Sequence, residues 1–442
     1  MHYLDANATE PLRPAARTAL VAALDATGNP SSVHTAGRTA RRIMEDAREA
    51  LAARFGAHPA DLVFTSGGTE ADALAIHALG AGRRIIIGAT EHDAVRAAAP
   101  DATVLPVDRN GVADLEVLAA LLRDGPPALL CLMLANNETG TIQPVAAAAA
   151  LCRQHGARLH VDAVQAAGRM AVDLAALGAD SIAISSHKLG GPAGAGALLL
   201  ASTAGTIAPL IRGGGQERGR RGGTPPVPVI AGFAAAAQAA GQAMARELSA
   251  RAVAPGLADA GATGVGDPGT TAGAHGSEAA GIDIALLRDA AEAAACAHGA
   301  IVCGGSAPRL PNTTCLALPG VRADAQVIAL DLDGIAVSAG AACSSGKVAA
   351  SHVLAAMGLG VLAGQAIRVS LPWNVTPDAI AAFAAAYARM SGRLRLAATF
   401  PLPLREEGGG RGAHIRRTAS VGAPPAGPVP QGEGENLVRA DA

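Results

Sequence analysis

Ser185-Ser186-His187-Lys188-Leu189-Gly190-Gly191 sets a lysine between two apolar runs. Ahead of it, Asp180-Ser-Ile-Ala-Ile184 is a short β-branched run that reads as a buried strand. After it, a glycine-rich return from Gly191 to Gly196 leads into a second run, Ala197-Leu-Leu-Leu200. An amine held away from water loses proton affinity and can attack a carbonyl, so Lys188 is a candidate Schiff-base nucleophile. The same position also suits a lysine snorkelling from a strand end, and the rest of the sequence has to decide between the two.

A chain of 442 residues is too long for one small core and predicts two domains with accessory segments. Hydrophobic residues make up 50%, much of it alanine, and aromatics only 2%, so a helix-rich core of small aliphatic contacts is expected. Basic and acidic side chains nearly balance, 35 against 37, and no long basic run precedes the tail, which leaves no footprint for nucleic acid. A small substrate or a protein partner fits better. No positive stretch followed by an apolar one opens the chain, so no signal peptide is visible and a cytoplasmic protein is expected. Gly222 to Ala245 is long enough to span a bilayer, but its prolines, glycines and glutamines and its reliance on alanine predict a buried helix, not a membrane span. The six cysteines show no CxxC pairing; they are expected as reduced thiols, with Cys131, Cys152, Cys296, Cys303 and Cys315 as structural filler.

Along the chain, residues 3–14 (YLDANATEPLRP) read as a short strand and an extended arm. Gly28-Asn-Pro-Ser-Ser-Val-His34 is a turn whose serines are placed to cap a helix from about Thr35 to Phe55. Val63-Phe-Thr-Ser-Gly67-Gly68-Thr69-Glu70 runs strand, glycine turn, helix start, an order that offers free backbone N–H groups to a phosphate. Further apolar strands are each followed by polar residues: 83–88 by Glu91-His92, 128–134 by Asn136-Asn137-Glu138, and 158–161 by Asp162 and Gln165. Ligands of open α/β sheets gather at the carboxyl ends of the strands, so these strand ends and that of Lys188 are expected to share one pocket. The region from about 251 to 281 is aperiodic Gly, Ala, Pro, Thr and Asp and reads as an insertion or linker, and 401–442 as a disordered tail.

Ten motifs then converge: YLDANAT, NPSSVHTAGR, TSGGTE, TEHDAV, NNETGTIQP, HVDAVQAAGR, SSHKLGGPAGAG, GGGQERGRRGGT, CSSG and IRVSL. Together they resemble the cysteine desulfurases, class V aminotransferases that use pyridoxal 5'-phosphate, over residues 3 to about 395. The resemblance implies an α/β fold of type I, aspartate-aminotransferase-like, with a large domain (14–250) around a mostly parallel sheet and a smaller α+β domain (282–400), the arm 1–13 packing on the latter. It assigns the cofactor's lysine to Lys188, the carboxylate against the pyridine nitrogen to Asp162, the phenolic-oxygen contact to Gln165 and the ring stack to His92. Gly68, Thr69, Ser185 and His187 resemble the phosphate cup, and Thr224 a hydroxyl lent by the second subunit of a homodimer. Arg368, assisted by Asn137, would hold the carboxylate of L-cysteine. Cys343, in Gly340-Ala-Ala-Cys-Ser-Ser-Gly346, would take the sulfur as a persulfide, release alanine and hand the sulfur to an acceptor protein for iron–sulfur assembly or thiolation.

Four departures from the family pattern stand out: Glu10 where a threonine is usual, Pro225-Pro226 after Thr224, Leu371-Pro-Trp-Asn374, and the Gly/Ala-rich insertion. Glu10 is expected near the mouth of the site, where its carboxylate would repel that of the substrate. A selenocysteine lyase or another class V enzyme is the nearby alternative, although a plain aminotransferase has no need of Cys343. From a different class comes a weakly catalytic cofactor-binding scaffold, which Glu10 and Pro225-Pro226 alone favour.

Overall fold

The computed structural model describes residues 1–123, 125–253, 283–340 and 350–399, with side chains to 246 and 395 in the long helices that end the second and fourth of these stretches. The chain opens with β1 (His2–Tyr3), α1 (Pro14–Leu24) and α2 (Thr35–Arg54). Strands and helices then alternate: β2 (Leu62–Thr65), α3 (Gly68–Leu79), β3 (Arg84–Gly88), α4 (Asp93–Ala98), β4 (Thr103–Leu105), α5 (Leu115–Arg123) and β5 (Ala128–Cys131). They continue through α6 (Val145–Gln154), β6 (Arg158–Asp162), α7 (Leu174–Leu177), β7 (Ser181–Ser185) and β8 (Gly196–Leu200) to the long α8 (Val227–Val253). Past residue 282 come α9 (Ile284–Ala297), β9 (Ile301–Val302), β10 (Thr313–Ala317), α10 (Ala323–Leu332), β11 (Ile335–Ala336) and β12 (Ser338–Ala339). The last elements are α11 (His352–Ala356), β13 (Ala366–Ser370) and α12 (Pro377–Thr399).

Seven strands form the main sheet in the order β2-β8-β7-β6-β5-β3-β4. From β7 to β4 every pairing is parallel, while β8 runs against both β7 and β2. Two reversals restore direction, so β2 points the same way as the parallel strands. A strand buried on both faces needs apolar side chains on both sides of its pleat. In β5, accordingly, Leu130 joins one core with Phe55, Phe64 and Ile184, and Leu129 and Cys131 join the core on the other face with Leu74 and Val95. The uncharged run after Gly222 forms most of α8, which packs on α1 and α2 and buries Ile230, Phe233, Ala236 and Ala237 in the first core. By length and hydropathy alone its Val227–Arg246 stretch would cross a membrane.

The second sheet is four-stranded and antiparallel, β12-β13-β10-β9, and α9 and α12 cover it with a core that includes Leu316, Ile367, Val369, Phe383 and Tyr387. The N-terminal arm is stitched to both sheets. β1 pairs with β11; Ala6 N–H donates to Ser370 O, Glu10 N–H to His187 O and Arg13 N–H to Gly190 O at 2.8–3.0 Å.

Two local expectations need correction. The serines before α2 do not cap it, because the helix begins at Thr35 and its N-cap position falls to His34, whose Nδ1 accepts the Gly37 N–H, while Ser31 and Ser32 lie too far ahead in the turn. Cys296 is exposed and so is not core filler, because it falls on the outer side of α9, whose buried residues are Ala291 and Ala295. Of the expected linker, 251–253 complete α8 and the remainder to 281 lies outside the described residues, as do the tail 401–442 and Cys343.

Candidate active site

Five strands deliver polar groups to one edge of the main sheet: β2 the Gly68-Thr69 turn, β3 His92, β5 Asn137, β6 Asp162 and β7 Ser185, His187 and Lys188. They surround a cavity of about 330 Å³, and Gln165, Asn7, Asp72 and, from the second sheet, Arg368 complete its wall. That volume suits a small-molecule ligand. A hollow of about 430 Å³ around His58, Arg153 and Asp180 lies by the amino ends of β6 and β7 and gathers no comparable set. Chemistry rather than size therefore selects the site.

Lys188 donates from Nζ to the carbonyls of Asn7 (2.5 Å) and Ala8 (2.9 Å), so the arm holds the amine at the cavity. Asn7 O also accepts from Gln165 Nε2 at 3.0 Å. The opposite end of that amide, Oε1, receives Arg169 Nη1 at 2.7 Å. His92 begins α4 and accepts the Ala94 N–H on Nδ1 at 3.1 Å, which orients the ring at the cavity wall. His187 is held well below the usual histidine range, at about 4, by burial first and then by Lys188 and Arg169.

Asp162 is pushed up to about 7, by burial and then by the neighbouring Asp72, which burial itself lifts to about 8. Behind Asp72, His160 Nε2 lies 3.1 Å from Oδ1, and burial lowers that imidazole to about 4, so the pair stays uncharged near neutral pH. A buried carboxylate short of positive charge is what a protonated pyridine nitrogen would satisfy. At the phosphate end, α3 has Gly67 at its N-cap position and so no side-chain cap, which leaves backbone N–H groups at the positive end of the helix. A Cβ on Gly68 would meet Val164 Cγ2 at 2.7 Å, and one on Gly196 would meet the Gly67 backbone at 2.5 Å, so glycine is required on both sides of this turn. The residues present thus fit pyridoxal phosphate: an amine, a buried acid for the ring nitrogen and a stripped backbone cup for the phosphate.

Arg368 is buried on β13, with Nη2 2.7 Å from Asp5 Oδ1, Nη1 donating to Asn137 O at 3.2 Å and Nε without a hydrogen-bond partner among the described residues. Thr224 is exposed and outside this cavity. The Gly-rich stretch before it is anchored by Arg221 to Glu70 (2.8 Å) and by Glu217 to Arg48 (2.7 Å). Residues 341–349, with Cys343, fall outside the described residues, but both flanks of that stretch meet Glu138: Ser351 Oγ donates to its Oε2 at 2.5 Å, and a Cβ on Gly340 would stand 3.4 Å from the same oxygen.

Glu10 does not face the cavity. Its carboxylate is buried and turned to Arg169 Nη2 (2.9 Å) and to the Trp373 N–H (2.7 Å). Two of the departures from the family pattern therefore bind each other, and the Glu10 carboxylate is not left to repel substrate. Asn7, Asp72 and Arg169 were not singled out by sequence, although Asn7 and Arg169 lie inside quoted motifs and Asp72 just after one; a polar residue within an arm, turn or helix start gives no sign of which way it points.

A family model described as aminotransferase class-V matches residues 2–253. An IscS-like cysteine desulfurase of Mycobacterium tuberculosis is 37% identical over 84% of this chain and 91% of its own length. A cysteine desulfurase of Cereibacter sphaeroides is 39% identical over 85% and 92%. Among solved structures, a NifS-like protein from Rickettsia africae superposes with a TM-score of 0.76 at 31% identity, covering 89% of this chain and 99% of that one.

Proposed function

The chain belongs to the class V aminotransferase family, which works with pyridoxal 5'-phosphate, and we propose that it is a cysteine desulfurase whose Cys343 receives the sulfur of L-cysteine. The observation that carries this reading is the meeting of Lys188, Asp162, His92 and Arg368 in one cavity.

Arg368 binds the substrate carboxylate through the part of its planar fork not committed to Asp5, and Asn137 closes the same side. Lys188 would hold the cofactor, Gly68, Thr69, Ser185 and His187 would cradle its phosphate, His92 would cover the ring and Gln165 would contact the phenolic oxygen. Bound with Asp162 against its ring nitrogen, pyridoxal phosphate would supply an electron sink for the carbon skeleton of the amino acid. The Cys343 thiolate attacks the substrate sulfur: the new S–S bond forms as the Cβ–S bond breaks, the carbon keeps the electron pair and takes up a proton, and alanine leaves. No external oxidant is needed, because the two sulfurs are oxidised from thiol to persulfide as the substrate Cβ is reduced from CH2–SH to CH3. The nearby root of the 341–349 stretch at Glu138, next to Asn137, supports this role for Cys343. An exposed Thr224 on an anchored Gly-rich stretch supports a homodimer in which it serves the partner's phosphate site. A protein acceptor for the persulfide completes the reading. The scaffold alternative loses support, since Glu10 is neutralised inside the fold.

The test is to incubate the cofactor-loaded protein with L-cysteine and measure alanine and alkylatable persulfide together. Both products are expected, and both vanish in Cys343→Ala while the yellow colour of the bound cofactor stays. A yellow wild type that makes neither product refutes the desulfurase reading.

A further inference from the structure

We propose that the buried Glu10–Arg169 ion pair is a positioning device: it fixes which end of the Gln165 amide faces the cavity and thereby lowers the proton affinity of the phenolic oxygen that Gln165 contacts. This rests on the reading that the cavity holds pyridoxal phosphate.

The two ends of a glutamine amide are alike in shape and opposite in hydrogen-bonding sense. Here Arg169, which can only donate, gives Nη1–H to both Gln165 Oε1 (2.7 Å) and Gln165 O (3.0 Å). Gln165 Nε2 is left to donate to Asn7 O at 3.0 Å, the carbonyl that also takes Lys188 Nζ at 2.5 Å. A flipped amide would bring two donors together at Arg169 and two acceptors together at Asn7. The amide is therefore locked by donor and acceptor sense, with its N–H group on the cavity side.

That lock depends on a guanidinium whose side chain is only 6% exposed, and such a charge persists in the interior only when countered. Glu10, 5% exposed, is the carboxylate that touches it among the described residues, at 2.9 Å. The other Glu10 oxygen accepts the Trp373 N–H at 2.7 Å; Trp373 Nε1 donates to Pro11 O, and Arg13 lies 5.0 Å over its ring. Glu10 so ties the arm to three pieces: its carboxylate to Arg169 and to the segment just after the strand of Arg368, and its backbone N–H to the carbonyl of His187 beside Lys188. The other charged or titratable groups around the pair are Tyr3, Asp5 and Arg13 on the arm, His187 and Lys188 after β7, and Arg368 on β13, all of which stay the same in the variants below.

An N–H donor stabilises the ionised form of an oxygen it contacts. Loss of the lock lets the amide rotate, and the pH midpoint of the bound cofactor's visible absorption rises. The experiment titrates that absorption in the full-length, cofactor-loaded protein for wild type, Glu10→Gln, Arg169→Met, and Glu10→Gln in a Gln165→Ala background. Glu10→Gln and Arg169→Met are each expected to raise the midpoint by about one pH unit. In the Gln165→Ala background, Glu10→Gln is expected to add nothing, because the group it acts through is gone. An unchanged midpoint in Glu10→Gln with cofactor still bound overturns the proposal, and so does a shift that persists without Gln165. Should Arg169→Met fail to fold, the two Glu10→Gln titrations decide. The readout needs only bound cofactor, so it stands even where alanine formation fails; a wild type that takes up no pyridoxal phosphate overturns the reading of the cavity and this inference with it.

Discussion

The two sheets serve the cavity in opposite ways. The seven-stranded sheet offers its edge: its site groups stand on the last residue of a strand, as Asp162 and Ser185 do, or just past it, where the backbone turns. The four-stranded sheet offers a strand interior: Arg368 sits mid-strand in β13, opposite Cys315 on one side and Ser338 on the other. A residue past the strand end, such as His92, Asn137 or Lys188, can be exchanged without disturbing the ladder beneath it. A charged residue inside a strand belongs to the packing, so binding and stability are joined in it.

The largest effect that would sharpen this contrast is expected at Arg368. Arg368→Ala strips Asp5 of its buried partner and should cost about 3 kcal/mol, the lower end for breaking a buried pair because Asp5 keeps some solvent. Denaturant unfolding of the cofactor-free chain checks it, and a stability loss under ~1 kcal/mol would mean that the arginine is not part of the packing.

On the sheet edge the sign reverses. Asp72 and Asp162 have folded pKa values, about 8 and about 7, above the ordinary carboxylate value, so their contribution to stability is lost as pH rises through those values. His160, lowered to about 4, contributes the opposite slope below its ordinary value and nothing above it. The cofactor-free protein is therefore expected to lose stability between about pH 6.5 and 8. Asp72→Asn should remove part of that slope and leave the protein more stable at the alkaline end. Melting temperatures across this range would contradict the account if wild type and Asp72→Asn ran parallel.

The smallest effect lies where the two regions touch. Ser351 caps α11 by accepting the Leu354 N–H and donates to Glu138, whose carboxyl burial raises to about 7. Ser351→Ala should cost about 1 kcal/mol, as for a lost helix cap. Unfolding curves resolve a loss of that size, and none would show that neither bond stabilises the fold.

What was legible in the sequence follows the same division. A polar residue just after an apolar run is a one-dimensional pattern, so Lys188, Asp162, His92 and Asn137 could be placed at one sheet edge before any coordinates. Arg368 showed itself as a charge within Ile367-Arg-Val-Ser-Leu371. Contacts between distant segments left no such trace. Glu10 and Arg169 are 159 residues apart, and Asn7 and Lys188 181, so nothing near Glu10 revealed the guanidinium that neutralises it. Its charge was visible and its orientation was not. The cap at His34 escaped for a smaller reason: serine is the commoner capping residue, but the helix begins at Thr35, two residues later than a cap at Ser32 would have needed.

The stitching of the arm to both sheets also sets a schedule. Asn7, which gives Lys188 its acceptor, takes its own place by donating its N–H to Ser370 Oγ, 363 residues further on. At ribosomal speeds of ~5–20 residues per second, the first dozen residues wait roughly 20–70 s for the strand they dock against. Until β13 has emerged, the amine of Lys188 lacks the carbonyls that aim it. Cofactor loading is thus expected to belong to the finished polypeptide and not to the nascent one, which makes the N-terminal arm a timer for the birth of the enzyme.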